Sequence, residues 1–373
     1  MRIKVSWVVY GVMSLALIFG AIPPSAAAKE KVIEIKTVTW HPVRHRLTTD
    51  SFLWLAAEIE KRTKGKVKFK WFLGGSLMGP DKTHDAVQGG VIDMAMTLAP
   101  FAFMHLYPIS TAIGLPFMVD SAAHASDMGW EMWETIPEMK QEYSGMKFFG
   151  LSSSAISNLA TVGAPPKTLN DLKGLRILVW HKQMVEAHKL LGGTGQFMRT
   201  ADFYLAIQRG MADGAWFPDA PLRSYRLIEL MGNHTMVNYL GAPQAIVMNL
   251  KKWKTLPPDV QKVFNDLTPS MARLHGHTLT NEAKWVIQDL KDRGDNFYYL
   301  PADERAKWIE KSKPMYDRWI QLLNKKGWDG QAIFDKVVAI SKKYRKNPLP
   351  DDSWWGRAGR KTGAGFIPVE KAQ

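Results

Sequence analysis

The chain has 373 residues, and at roughly 150 residues per domain it reads as two domains after processing. Hydrophobic residues at 46% and charged residues at 23% exclude global disorder, and 15 Trp with 16 Phe point to a large core or an aromatic-lined pocket. The net charge of +14 admits anionic partners, yet the basic clusters at 61–70 and 342–346 lack the aromatic interleaving of a nucleic-acid platform; with Cys at 0, disulfides, thiolate metal sites and a Cys nucleophile are excluded.

Arg2 and Lys4 precede an uncharged run over 7–22, and Ala26-Ala27-Ala28 offers a small-residue cleavage site. This pattern predicts an export leader, a mature chain opening at Lys29 and a periplasmic location. The alternative is an uncleaved anchor, against which stand Gly11, Gly20, Pro23 and Pro24 within and after the run. No later stretch reaches the ~18 apolar residues that a spanning helix needs.

Residues 32–40 alternate with β-branched side chains and predict a strand, ended by His41-Pro42. Phe52, Leu55, Ala56 and Ile59 share one face of a helix over 52–62, stopped at Gly65. A second strand follows over 66–73. This strand–helix–strand order opens an α/β sheet. A short helix over 81–88, a buried strand over 91–97, a helix over 127–143 and a strand over 147–151 come next, before Ser152-Ser153-Ser154.

A second α/β unit begins near Leu169, where Asn170 is placed to cap a short turn. Strands are predicted over 175–180, 212–217 and 244–250, and helices over 183–191 and 201–209. From Pro257 the texture turns helical: one helix from Pro258 to about Lys291, with breaks, then 301–324 and 328–344. Residues 347–373 are rich in Gly, Pro and charge and read as a tail.

Few motifs carry chemistry. Leu191-Gly192-Gly193-Thr194-Gly195 lacks the phosphate-loop pattern and follows a helix, which suits a helix stop. His41 and His45 are four apart, but Pro42 argues against a helix presenting both to a metal, and no H-E-x-x-H exists. No G-x-S-x-G occurs. Asp202 reads as a helix N-cap and Asp213 as a turn residue rather than an acid–base pair. Neither a cofactor nor a catalytic set is expected. Trp40, Trp71, Trp180 and Trp216-Phe217 fall at the carboxyl ends of predicted strands, where open α/β sheets bind ligands; the other reading is that these rings are core.

The order of several short motifs resembles the substrate-binding receptors of tripartite ATP-independent periplasmic (TRAP) transporters, of the dicarboxylate-receptor type. They are Gly74-Gly75-Ser76-Leu77, Ala86-Val87-Gln88-Gly89 with Ile92-Asp93, and Leu115-Pro116-Phe117. Leu169-Asn170-Asp171-Leu172-Lys173-Gly174-Leu175-Arg176-Ile177 follows, then Tyr204-Leu205-Ala206-Ile207-Gln208, Ala212-Asp213-Gly214, and Val247-Met248-Asn249 with Trp253 and Leu256-Pro257. The similarity runs from about 37 to 344. It implies an α/β, two-domain periplasmic-binding-protein-like fold with a ligand cleft and a long helix spanning both domains. The expected boundaries are a leader over 1–28, domain I over 29–153, domain II over 154–238, a return to domain I over 239–280, helices over 281–345 and a tail over 346–373. Partners would be a small organic solute and the transporter's membrane subunits.

The departures bear on the ligand. Where the family places a carboxylate-clamping arginine, this chain has Leu178; Arg176 matches a common lysine. Ser157 or its neighbour stands where a second arginine often follows the crossover, Phe217 replaces a usual asparagine, and Tyr239 a frequent histidine. The expected ligand-binding set is Trp40, Ser76, Phe101, Ser157, Leu178, Trp180, Arg199, Trp216, Phe217 and Tyr239. A buried carboxylate without a cation costs several kcal/mol, so these replacements imply an aromatic, neutral or cationic ligand. The alternative is an organic acid met by a relocated cation from Arg199, Lys182, His181 or Arg44.

Overall fold

The computed structural model describes residues 32–347. The predicted leader and the tail beyond 347 lie outside them. In chain order the elements are β1 (Ile33–Val38), α1 (Trp54–Arg62), β2 (Val67–Phe72), α2 (Thr83–Gln88), β3 (Met94–Leu98), α3 (Ala122–Thr135), α4 (Pro137–Glu142), β4 (Met146–Ser153) and β5 (Ser157–Thr161). Then come β6 (Arg176–Val179), α5 (Lys182–Leu190), β7 (Thr194–Phe197), α6 (Phe203–Gln208), β8 (Gly214–Pro218), β9 (Asn233–Met236) and β10 (Pro243–Asn249). The chain closes with α7 (Leu250–Thr255), α8 (Pro258–Arg293), β11 (Asn296–Tyr299), α9 (Ala302–Lys325) and α10 (Gly330–Lys346).

Two sheets organise the fold, one of five strands in the order β2-β1-β3-β10-β4 and one of six in the order β11-β9-β5-β8-β6-β7. In the first sheet β1 runs parallel to β2 and β3, while β10 is antiparallel to β3 and β4. In the second, β6 is parallel to β7 and β8, and β5 is antiparallel to β8 and β9. The strand antiparallel to both neighbours is in each case the first one laid down after the chain crosses between sheets: β5 after β4, and β10 after β9. Backbone bonds tie the two crossings together, Ser157 N–H donating to Leu240 O at 2.9 Å and Tyr239 N–H to Ser157 O at 3.0 Å.

Helix α8 has 36 residues, about 54 Å at 1.5 Å per residue, and serves both sheets. Val260, Phe264, Leu267, Met271, Leu274 and Leu279 join Ile35, Phe149 and Met248 in the core beside the first sheet. Val286 and Leu290 join Ala160, Leu178, Phe203 and Phe217 beside the second. The predicted breaks do not occur: the helix continues through Pro269 and Gly276. At Gly276 a Cβ would collide with Ala122 O and Ser126 Oγ of α3, so glycine there lets the two helices approach closely.

Two capping expectations are corrected. The turn at Leu169–Leu172 is capped by Thr168, which forms a reciprocal box with Asp171, because Thr168 and not Asn170 has the extended backbone a cap needs. Asp202 precedes α6 in near-helical conformation and makes no side-chain cap bond. The helix predicted over 127–143 is two, α3 and α4, divided at Pro137. Among the described residues no helix is long and apolar enough to cross a membrane.

Candidate functional site

Strand ends from both sheets meet around a cavity of about 50 Å³. Trp40, His41 and His45 reach it from the segment after β1, Ser154 and Ala155 from the first crossing, Gln244 from β10 and Leu279 from α8. Trp180 after β6, Thr200, Phe217 and Pro218 of β8, and Pro221 with Tyr225 make the opposing wall. Phe101, from the turn after β3, reaches across to pack edge-on against Trp180 at 5.8 Å and beside His181 at 5.5 Å. No lysine, arginine or carboxylate lines the cavity among the described residues.

The segment after β1 is folded by local bonds. His45 N–H donates to Pro42 O at 3.0 Å, closing a turn. A wide helical turn over Leu47–Leu53 then leads into α1. Through that turn the His41 and His45 rings lie 4.5 Å apart, and Trp40 packs 4.0 Å from His41. The Trp40 indole donates to Thr97 O at 3.1 Å, which fixes its ring. His41 Nε2 lies 3.4 Å from Gln244 Oε1, a contact between residues 203 apart in the chain.

The site is rich in neutral nitrogen. Burial first, then the neighbouring His45 and His275, hold the His41 imidazole well below its ordinary range, while Gln244 opposes them. Burial lowers His45 to about 4 and His181 to about 3; His275 falls to about 3 by burial and then by His45. These imidazoles are therefore uncharged at neutral pH. His41 Nδ1, Gln244 Nε2, Trp180 Nε1 and both His181 nitrogens are buried with no hydrogen-bond partner. Buried polar atoms are otherwise nearly always paired, so this clustering marks a place that a polar ligand atom would complete. No group of histidines and carboxylates among the described residues is placed to hold a metal ion.

Of the residues singled out in the sequence, Trp40, Trp180 and Phe217 line the cavity and Phe101 packs on Trp180. Leu178 is fully buried in the core cluster that contains Phe217. Trp216 points to the other side of β8, donating to His188 Nδ1 at 3.0 Å and lying 5.0 Å from Tyr239. Tyr239 is itself enclosed, its hydroxyl near Ser312 and Ala187 O. Ser157 is buried in the crossing ladder. Ser76 and Arg199 are exposed, and Arg199 adjoins the lining residue Thr200 in the chain. The other cations considered, Arg44 and Lys182, are also exposed. Arg176 is committed to Asp213 by a bidentate pair, with contacts of 2.6 and 3.1 Å. Sequence reasoning weighed His41 and His45 only as metal ligands and did not single out Gln244, Thr200, Pro221, Tyr225 or Leu279.

The profile of the bacterial extracellular solute-binding protein family 7 (DctP) matches residues 42–322, well over half of the chain. The chain is similar to the C4-dicarboxylate-binding periplasmic protein DctP of Rhodobacter capsulatus, at 24% identity over 271 residues, covering 69% of this chain and 78% of that one. Its fold is similar to a TRAP periplasmic solute-binding protein of Desulfovibrio salexigens, with a TM-score of 0.76 at 26% identity over 87% of this chain and 99% of the other. A TRAP solute-binding protein of Rhodoferax ferrireducens, solved with copurified benzoate, gives a TM-score of 0.76 at 22% identity over 84% and 99%. With its two sheets, its spanning helix and its cavity between strand ends, the chain belongs to the bacterial extracellular solute-binding proteins of family 7, the receptors of TRAP-type transporters.

Proposed function

We propose that this receptor captures a small organic solute with a flat, aromatic body and one oxygen-bearing polar end, and presents it to the membrane subunits of a TRAP-type transporter. The observation that carries this reading is the composition of the cavity wall: rings of Trp40, Trp180, Phe217 and Tyr225, with partnerless nitrogens on His41, Gln244 and Trp180, and no lining lysine or arginine. Ring faces bury a planar body well, and the buried donors without partners on Gln244 and Trp180 favour a ligand that supplies acceptors. The lack of a lining carboxylate disfavours a cationic solute. Arg199, Arg44 and Lys182 are exposed, which leaves the relocated-cation alternative without support in the lining. The benzoate held by the similar Rhodoferax ferrireducens protein accords with an aromatic guest.

On this reading the leader is removed near Ala28, the mature receptor works in the periplasm, and the solute is released unchanged. A thermal-shift panel of the mature chain tests it, because a ligand that binds the folded state stabilises it by an amount that grows with the logarithm of its concentration over Kd. Aromatic compounds should raise Tm by several degrees. The largest shift with a C4-dicarboxylate, and none with any aromatic compound, would overturn the proposal. Mass spectrometry of the recovered ligand should show no product; turnover would make the protein an enzyme.

A further inference from the structure

The nitrogens around His41 specify more than a polar end. Gln244 Oε1 can only accept, so the neutral His41 ring carries its hydrogen on Nε2 and keeps a lone pair on Nδ1, an atom that is buried and has no partner. His45 differs: its Nδ1 accepts the Leu47 N–H at 3.1 Å, and a proton added there would break that bond. His275, on α8, packs edge-on against Phe52 at 5.7 Å behind the two rings. The titratable groups facing His41 are His45, from its own segment, and His275, from α8. Gln244 faces it from β10 with a neutral amide, and Trp40 and Phe52 face it with rings.

Asp50 pairs with Arg46 at 3.0 Å and Asp219 accepts from Asn158 at 2.6 Å. Glu282, on α8, is buried with Oε2 unpartnered, and burial first, against the opposing Arg46, raises it to about 8. His41 is thus a ring with one open basic nitrogen in a wall that offers no fixed positive charge.

We propose that this receptor takes its aromatic guest as a carboxylate together with one proton, which binds His41 Nδ1 and makes the imidazolium the cationic partner of the ligand. This inference rests on the aromatic-guest reading above. The proton comes from solvent on loading and returns to it on release. Nδ1–H then donates to one carboxylate oxygen, while Nε2–H keeps its bond to Gln244 Oε1. Gln244 Nε2 and Trp180 Nε1 supply donors to the anion. Without ligand, burial and the two neighbouring imidazoles keep His41 neutral, so the closed wall holds no uncompensated charge. The opposite charges arrive together and the occupied site is neutral overall. Loading is consequently linked to pH in the direction of tighter binding in acid.

Titration calorimetry of the mature chain tests this with benzoate and its uncharged analogue benzamide, between pH 6.5 and 8.5, in phosphate and in Tris. The expected result is uptake of close to one proton per benzoate, with Kd rising about tenfold per pH unit, and no pH dependence for benzamide. His41→Gln should abolish the uptake and flatten the benzoate profile, whatever it does to the pH-independent affinity for benzamide. Uptake that persists in His41→Gln would show that the ligand or another group, such as Asp219 or Glu282, carries the proton, and would overturn the proposal. So would benzoate binding that is independent of pH. If His41→Gln fails to fold, nitrogen chemical shifts of ¹⁵N-histidine in the wild-type chain decide, since Nδ1 must move to the imidazolium range when benzoate binds. Binding of neither probe, with binding of a C4-dicarboxylate, would instead overturn the aromatic reading of the site.

Discussion

The wall from the first sheet carries side-chain nitrogen on His41, His45 and Gln244, whereas the opposing wall presents Trp180, Phe217, Pro218, Pro221 and Tyr225. The first is anchored at specific atoms, by the Trp40 bond to Thr97 and the His41 contact to Gln244. The second is backed by apolar packing, with Leu178 beneath Phe217 and with Trp216 and Tyr239 on the far side of β8. A guanidinium at position 178 would have to emerge through a fully buried site. The difference teaches that the two walls divide the work: Phe217, Pro218, Pro221 and Tyr225 form an apolar platform, while most of the side-chain polar atoms stand opposite, with the Trp180 indole nitrogen the exception on the platform side.

The sharpest way to break this contrast is to remove what supports the platform. Trp216→Ala should cost about 3–5 kcal/mol in denaturant unfolding, since Trp216 is fully buried against Tyr239 and Trp308. A loss below about 1 kcal/mol would place that ring at the cavity instead of in the core.

Acid should expose the other wall. Burial lowers His45 and His188 to about 4, His181 and His275 to about 3, and His41 well below its ordinary value. The unfolded chain binds these protons near pH 6.5 and the folded chain does not, so stability falls as pH drops from about 6.5 towards 4. Glu142 and Glu282, raised to about 8, and Asp219, raised to about 7, act in the opposite sense. The lowered imidazoles, which include His84, His124 and His234 as well, outnumber the three raised carboxyls, so the net effect is a loss of at least about 1 kcal/mol per pH unit. Circular dichroism melts across this range measure it, and a flat profile would mean that the rings are hydrated.

Smaller effects separate the two walls by affinity. Trp180→Ala should weaken an aromatic ligand by about 2 kcal/mol, roughly thirtyfold in Kd. Gln244→Leu should cost about 1 kcal/mol, several-fold in Kd, and should spare ligands without a polar end. Arg199→Ala and Arg176→Ala should change affinity less than about twofold, because one side chain is exposed and the other is held by Asp213. A large loss at Arg199, read by calorimetry, would restore the relocated-cation alternative.

Much of the scaffold was legible because its signals are local. The alternation before Trp40, the run to Thr97 and the amphipathic stretches of α9 and α10 each specify their own element. Strands β5, β7, β9 and β11 were not anticipated; they have four or five residues each, and Ser157–Thr161 or Asn233–Met236 alternates too briefly to stand out. The breaks expected in α8 do not form: Pro269 and Gly276 lie inside the helix, where packing against both sheets overrides their local cost. At the site, strand ends disclosed Trp40, Trp180 and Phe217. Gln244 carried no comparable signal, since it meets His41 only after the chain has built the second sheet and returned. Pro42 rightly spoke against a helix bearing both histidines, yet the turn it makes with His45 brings their rings together by another route.

The position of β10 has a consequence for how the protein is made. It lies between β3 and β4, but its residues follow nearly all of the second sheet in the chain. A nascent polypeptide that has emerged only as far as Ser153 therefore lacks the strand that joins β3 to β4. It must wait for almost a hundred further residues before the gap is filled. The five-stranded sheet therefore cannot be completed before the chain has been made as far as Asn249.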